Sequence, residues 1–199
     1  MKLGKVLKEI RSWVIVIGLA LLLSSLINSQ LFAMASVKDV SMQNTLFDGH
    51  KLIINRLSYR NRNPKIGDII IFYENREIGS FTQEFVRSLK NIIPFVNSKE
   101  EARDRYVKRV IGIPGDVIDI INGDVYLNGE YLEETYVKGV TEEKALELPV
   151  TVGKNQLFVM GDNRENSMDS RAFGLIEMSH VEGKATFRIY PFNQFGKLN

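Results

Sequence analysis

A lysine set inside an apolar strand, a serine in a turn and a dense polar loop are the parts of this chain with the means to do chemistry. The lysine is Lys108, in the stretch Tyr106–Asp116, YVKRVIGIPGD. Tyr106, Val107, Val110, Ile111 and Ile113 give it the β-branched and aromatic character of a strand, and Gly112, Pro114 and Gly115 punctuate its end as a tight turn. Alternation puts Tyr106, Lys108 and Val110 on one face, with Val107, Arg109 and Ile111 on the other. Two readings follow. Lys108 is either an edge-strand lysine that snorkels to water and blocks edge pairing, or a desolvated one. Burial disfavours the ammonium and draws the pKa down from about 10.4 towards neutrality, where an amine accepts a proton as a general base. Such a base needs a nucleophile to serve.

Ser41 offers one. It opens Ser41–Leu46, SMQNTL, just after a strand expected at Val37–Val40 and ahead of the turn Asp48-Gly49; its plain reading is a turn former. The polar loop is Gly161–Arg171, GDNRENSMDSR, behind a strand expected at Leu157–Met160. Polar side chains so dense beside a core strand call for internal hydrogen bonding. A calcium loop fails on spacing, because the glycine precedes the acids and no glutamate closes the loop. The plain reading is a locally bonded loop with Asp169 and Arg171 as an internal pair.

Composition removes several alternatives. A net charge of +2 in 199 residues argues against a nucleic-acid binder with a broad basic surface. The absence of cysteine excludes thiolate zinc sites, disulfides and cysteine nucleophiles. His50 and His180, the two histidines, leave little for a triad or a histidine-rich metal site.

The elements that must position these residues begin with a basic leader, in which Lys2, Lys5, Lys8 and Arg11 face one acid, Glu9. An uncharged run follows from Trp13 to Ile27 and continues to Val37, near the roughly 20 residues a membrane helix requires. The leading cations orient the N-terminus to the cytoplasm. A cleavable secretory signal is the alternative, given Ala33-Met34-Ala35, but the apolar region exceeds the roughly 7–15 residues of a signal core. The expected layout is a cytoplasmic tail at 1–12, a single-pass transmembrane anchor in the cell membrane at 13–35, and an extracytoplasmic domain at 36–199. That domain reads as mainly β, with strands at 37–40, 51–57, 68–73, 106–113, 117–121, 125–127, 157–160 and 185–190. Asn122-Gly123-Asp124 and Asn128-Gly129 are hairpin signals inside a β-meander appendage at 117–156. The stretch 74–105 breaks the β rhythm as a helical insertion, with Phe81, Phe85, Val86, Leu89, Ile92 and Ile93 on one face and Pro94 as its stop. That face either caps the core or lies on the membrane surface.

Taken in order, SMQNTL, the strand Gly67–Phe72 (GDIIIF), YVKRVIGIPGD and GDNRENSMDSR resemble the boxes of the type I signal peptidases, membrane-anchored serine proteases that remove signal peptides from exported proteins. The anchor and external β domain are similar to the Gram-positive branch, and the resemblance spans essentially the whole chain. It implies a signal-peptidase-like catalytic domain, β-barrel or β-sheet in form, and a Ser-Lys dyad that uses no cofactor or metal. Ser41 would be the nucleophile, Lys108 its base, and Ser167 the group orienting the lysine amine. Asp169 and Arg171 would brace the loop by a salt bridge, with Asp162 and Arg164 structural. Met42, Asp39, Val40 and Tyr106 would border the substrate. The partners implied are exported preproteins, bound as an added β-strand and cleaved after small-x-small sites such as Ala-x-Ala, and the lipid bilayer. Two positions depart from the family pattern. Asn44 stands where the box usually carries proline, and Asp39 stands where some members place a hydroxyl for the oxyanion hole, so the hole would rest on the Ser41 N–H. The alternative is a signal-peptidase-like factor that processes or binds pilins during pilus assembly.

Overall fold

Isoleucine runs build the middle of the sheet. Strand β3 (Ile69–Tyr73, IIIFY) is buried at every position. Ile69 and Ile71 enter one core cluster and Ile70 and Phe72 another, as period-two alternation in a strand covered on both faces requires. The computed structural model describes residues 2–60, 62–73, 78–80, 82–86 and 105–198. Within it the chain forms two units, one of Met1–Phe32 with Gly79–Ala102 and one of Ala33–Ile78 with Arg103–Asn199.

The first unit carries α1 (Lys2–Gln30), a 29-residue helix. Among the described residues no helix is long and apolar enough to cross a membrane. The helix ends before the far bound of the expected span 13–35: it stops at Gln30, and Phe32–Ser36 form strand β1. The sequence FAMAS alternates, with Phe32, Met34 and Ser36 exposed and Ala33 and Ala35 packed against a core cluster. That pattern of two is a strand signal hidden in the tail of an apolar run. Residues 82–86 form α2, a fragment of the helix expected in 74–105; the other positions of that apolar face, Phe81 and those from 87 on, lie outside the described residues.

The second unit holds two sheets. The larger is open, in the order β1-β2-β11-β3-β4-β9-β10, where β2 is Lys51–Asn55, β4 Arg105–Gly112, β9 Gln156–Met160, β10 Ile176–Glu177 and β11 Val181–Tyr190. Strand β12 (Gly196–Lys197) pairs with β11 off this path. Strand β4 sits between β3 and β9, so the edge-strand reading of Lys108 is overturned. No strand spans 37–40. Val37 instead exchanges backbone bonds with His50 and Gly49, closing the loop that carries Ser41. The smaller sheet, β7-β6-β5-β8, comprises β5 (Val117–Ile121), β6 (Asp124–Leu127), β7 (Glu130–Tyr131) and β8 (Val150–Thr151). Its hairpin turns are those read from Asn-Gly: Asn122 and Gly123 have φ of 52° and 91°, Asn128 and Gly129 of 55° and 84°, the double positive φ of a type I′ turn. Ile118, Ile120 and Val125 from this sheet and Ile111, Phe158 and Met160 from the larger one share a core cluster.

Candidate active site

Two fully buried apolar residues, Met42 and Leu46, pin the turn that carries Ser41 into the core with Val37, Leu52 and Ile54. The turn itself is closed by Gln43 N–H to Val40 O (3.0 Å), Thr45 N–H to Met42 O (3.0 Å) and Leu46 N–H to Met42 O (2.8 Å). Ser41 thereby meets β4. Lys108 Nζ lies 2.7 Å from Ser41 Oγ and donates also to Val107 O at 3.2 Å. Both residues are 1% exposed. Burial draws the Lys108 amine down to a pKa of about 8, against the pull of the Asp39, Asp169 and Asp162 carboxylates, while the Lys144 charge lowers it further. The Tyr106 ring, stacked on Phe72, lies with its centroid 5.7 Å from Nζ.

The polar loop wraps this pair from behind. Asn163 donates its backbone N–H to Ser41 O (2.9 Å) and its amide to Val40 O (3.1 Å). Gly161 approaches so closely that a Cβ there would collide with the Ser41 carbonyl and the Ser167 hydroxyl, so only glycine fits. Asp169 and Arg171, both buried, form a two-pronged pair: Arg171 Nε to Oδ1 and Nη2 to Oδ2, each 2.9 Å. Burial alone would raise the Asp169 carboxyl, but Arg171, Ser167 and the Gly161 N–H hold it below the usual carboxylate range. Arg171 Nη2 also donates to Arg164 O at 2.6 Å, and Arg164 pairs with Glu134 at 2.6 Å.

The site residues read from sequence occupy different positions around this pair. Ser167 is buried in the loop, and its hydroxyl makes no hydrogen bond of good geometry among the described residues; it does not reach the lysine amine. Met42 is wholly buried, so its side chain presents no open surface. Val40 is exposed, and exposed Asp39 spends Oδ1 on the Val40 N–H at 2.6 Å. His50 is a buried structural residue whose Nδ1 accepts the Phe47 N–H at 3.2 Å. Sequence reasoning passed over Arg109, the cation that follows Lys108 in β4. It donates to both Asp162 oxygens (2.9 and 2.8 Å) and to Gly67 O (2.9 Å), with its guanidinium 3.8 Å from the Tyr136 ring centroid. Thr45 completes that node with a hydrogen bond to Asp162. The signal was present, since from Tyr106 on the face opposite Lys108 also carried one cation among apolar neighbours.

A family model described as signal peptidase, peptidase S26, matches residues 10–190. The chain belongs to the S26 signal peptidase family. Signal peptidase IB of Staphylococcus aureus (strain COL) is 30% identical over 204 residues, covering 94% of this chain and 93% of that protein. A probable signal peptidase I-1 of Synechocystis is 34% identical over 161 residues, covering 79% of this chain and 71% of its own. A crystal structure of a signal peptidase I from Enterococcus faecalis V583 is 28% identical, covering 63% of this chain and 98% of that one, with a TM-score of 0.43. As an S26 member the chain is a serine peptidase, a class whose chemistry is acyl transfer.

Proposed function

We propose that this chain cleaves signal peptides from exported preproteins after small-x-small sites, with Ser41 as nucleophile and Lys108 as general base. The observation that carries the reading is the 2.7 Å contact between Lys108 Nζ and Ser41 Oγ, made by a lysine that burial leaves readily deprotonated. The neutral amine takes the Ser41 proton as Oγ attacks the scissile carbonyl. The resulting ammonium returns that proton to the leaving amine, giving an acyl-enzyme and the freed mature chain. The same amine then deprotonates the water that hydrolyses the ester. Among the described residues the Ser41 N–H has no acceptor, which leaves it available to the oxyanion. Asp39 is acceptor-only when ionised and contributes nothing there.

Membrane anchoring through α1, with the N-terminus in the cytoplasm and the β domain outside, belongs to the same reading. Its support is chemical. Trp13, Val14, Leu19 and Leu23 are each more than half exposed on a helix whose sequence carries no charge after Arg11, and such a surface is stable in lipid rather than water. The test is cleavage of an Ala-x-Ala preprotein by detergent-solubilised protein beside Ser41→Ala and Lys108→Ala. One cut after the small-x-small site, lost in both variants, is the expected result. Equal cleavage by all three proteins would remove the dyad.

A further inference from the structure

A second lysine stands near the pair without touching it. Lys144 Nζ donates to the Ser167 backbone carbonyl at 2.6 Å. Its segment, 134–146, is strapped along the polar loop by bonds that do not involve Lys144: Arg164 Nη1 to Thr141 Oγ1 (2.7 Å), Arg171 Nη1 to Glu142 O (3.1 Å) and Leu146 N–H to Arg171 O (2.9 Å). The strap is therefore held without Lys144. What this side chain adds is a donor and a positive charge beside Ser167. The Ser167 hydroxyl is buried, and the backbone that carries it is the one Lys144 grips.

The charges around Lys108 give the ammonium of Lys144 a second role. Ser41 Oγ and Val107 O accept from Nζ, and the Tyr106 ring faces it. Asp39 from the segment before the nucleophile, and Asp162 and Asp169 from the polar loop, all favour the protonated amine. Lys144 is the group that opposes them. We propose that Lys144 is a positioning residue for the reaction: through its bond to the Ser167 carbonyl it fixes that backbone beside the Ser41–Lys108 pair and holds a positive charge there. The inference rests on Lys108 being that base.

The experiment is the pH profile of kcat and kcat/KM for peptide cleavage by the full chain in detergent, for wild type, Lys144→Arg, Lys144→Gln and Lys144→Met, with Lys108→Ala alongside. Glutamine keeps a donor for the carbonyl and loses the charge, so the acid limb moves to higher pH while the plateau kcat stays within about twofold. Arginine keeps both and retains the wild-type profile. Methionine loses both, shifting the limb and lowering the plateau kcat by about 3–10-fold with little change in KM. An unmoved acid limb in the Gln and Met variants, with Lys108→Ala inactive, overturns the role of Lys144 alone. An active Lys108→Ala overturns it together with the base assignment.

Discussion

Asn44 takes a φ of 105°, and its side-chain amide reaches the carbonyls of Tyr136 and Val137 at 3.4 and 3.5 Å. Proline holds φ near −65°, so this turn does not accommodate the residue that the family box usually carries. The expected consequence is the reverse of a repair. Asn44→Pro should destabilise the domain by about 1–3 kcal/mol and lower kcat/KM, whereas Asn44→Gly, which tolerates the angle, should cost under about 1 kcal/mol. Thermal unfolding and peptide turnover of the two variants check this. The chemistry of Lys108 was legible because a lysine among β-branched residues is an anomaly on any reading. Whether its strand lay at an edge was not, since long stretches of chain separate β3 (ending at Tyr73) and β9 (starting at Gln156) from β4, and no local pattern encodes such pairings. The reach of Ser167 is equally illegible, because it depends on side-chain orientation inside a closed loop.

At the scale of elements, the loop 161–171 holds its shape through buried ion pairs. Asp169 and Arg171 are both solvent-excluded, so Asp169→Ala leaves an uncompensated guanidinium and should cost about 3–5 kcal/mol, read as a lowered midpoint in urea. The carboxylates of Asp169 and Asp68 are both held low in the fold. Burial raises each, but Arg171 in one case, and Lys184, the Lys65 N–H and Tyr59 in the other, more than offset it. A depressed folded value contributes stability that is complete above the unfolded carboxylate pKa of about 3.9 and is lost as pH falls through the folded value. The domain should therefore hold its stability from neutral pH to about pH 5 and lose it steeply below about pH 4, in a denaturation series across pH. The sequence announced this loop by polar density, and the Asp169–Arg171 pair by proximity. It concealed β1, whose alternating FAMAS reads as the end of a helix when it follows a long uncharged run.

For the whole molecule, every core cluster is drawn from residues 37–198 together with flanking Ala33 and Ala35, so the β domain carries its own packing. A chain lacking residues 1–31 should fold cooperatively and cleave a soluble Ala-x-Ala peptide within about tenfold of the full chain. On preproteins in liposomes it should lose far more, because the proposed tether would supply effective concentration at the membrane. Whether a neutral lysine serves the serine is tested most directly by the pH dependence of kcat/KM for the full chain beside Lys108→Arg. A rate that rises with pH through about 8, and is abolished by an arginine that stays protonated, is the expected result. Turnover retained in Lys108→Arg, or an acid limb unchanged by that substitution, would contradict it.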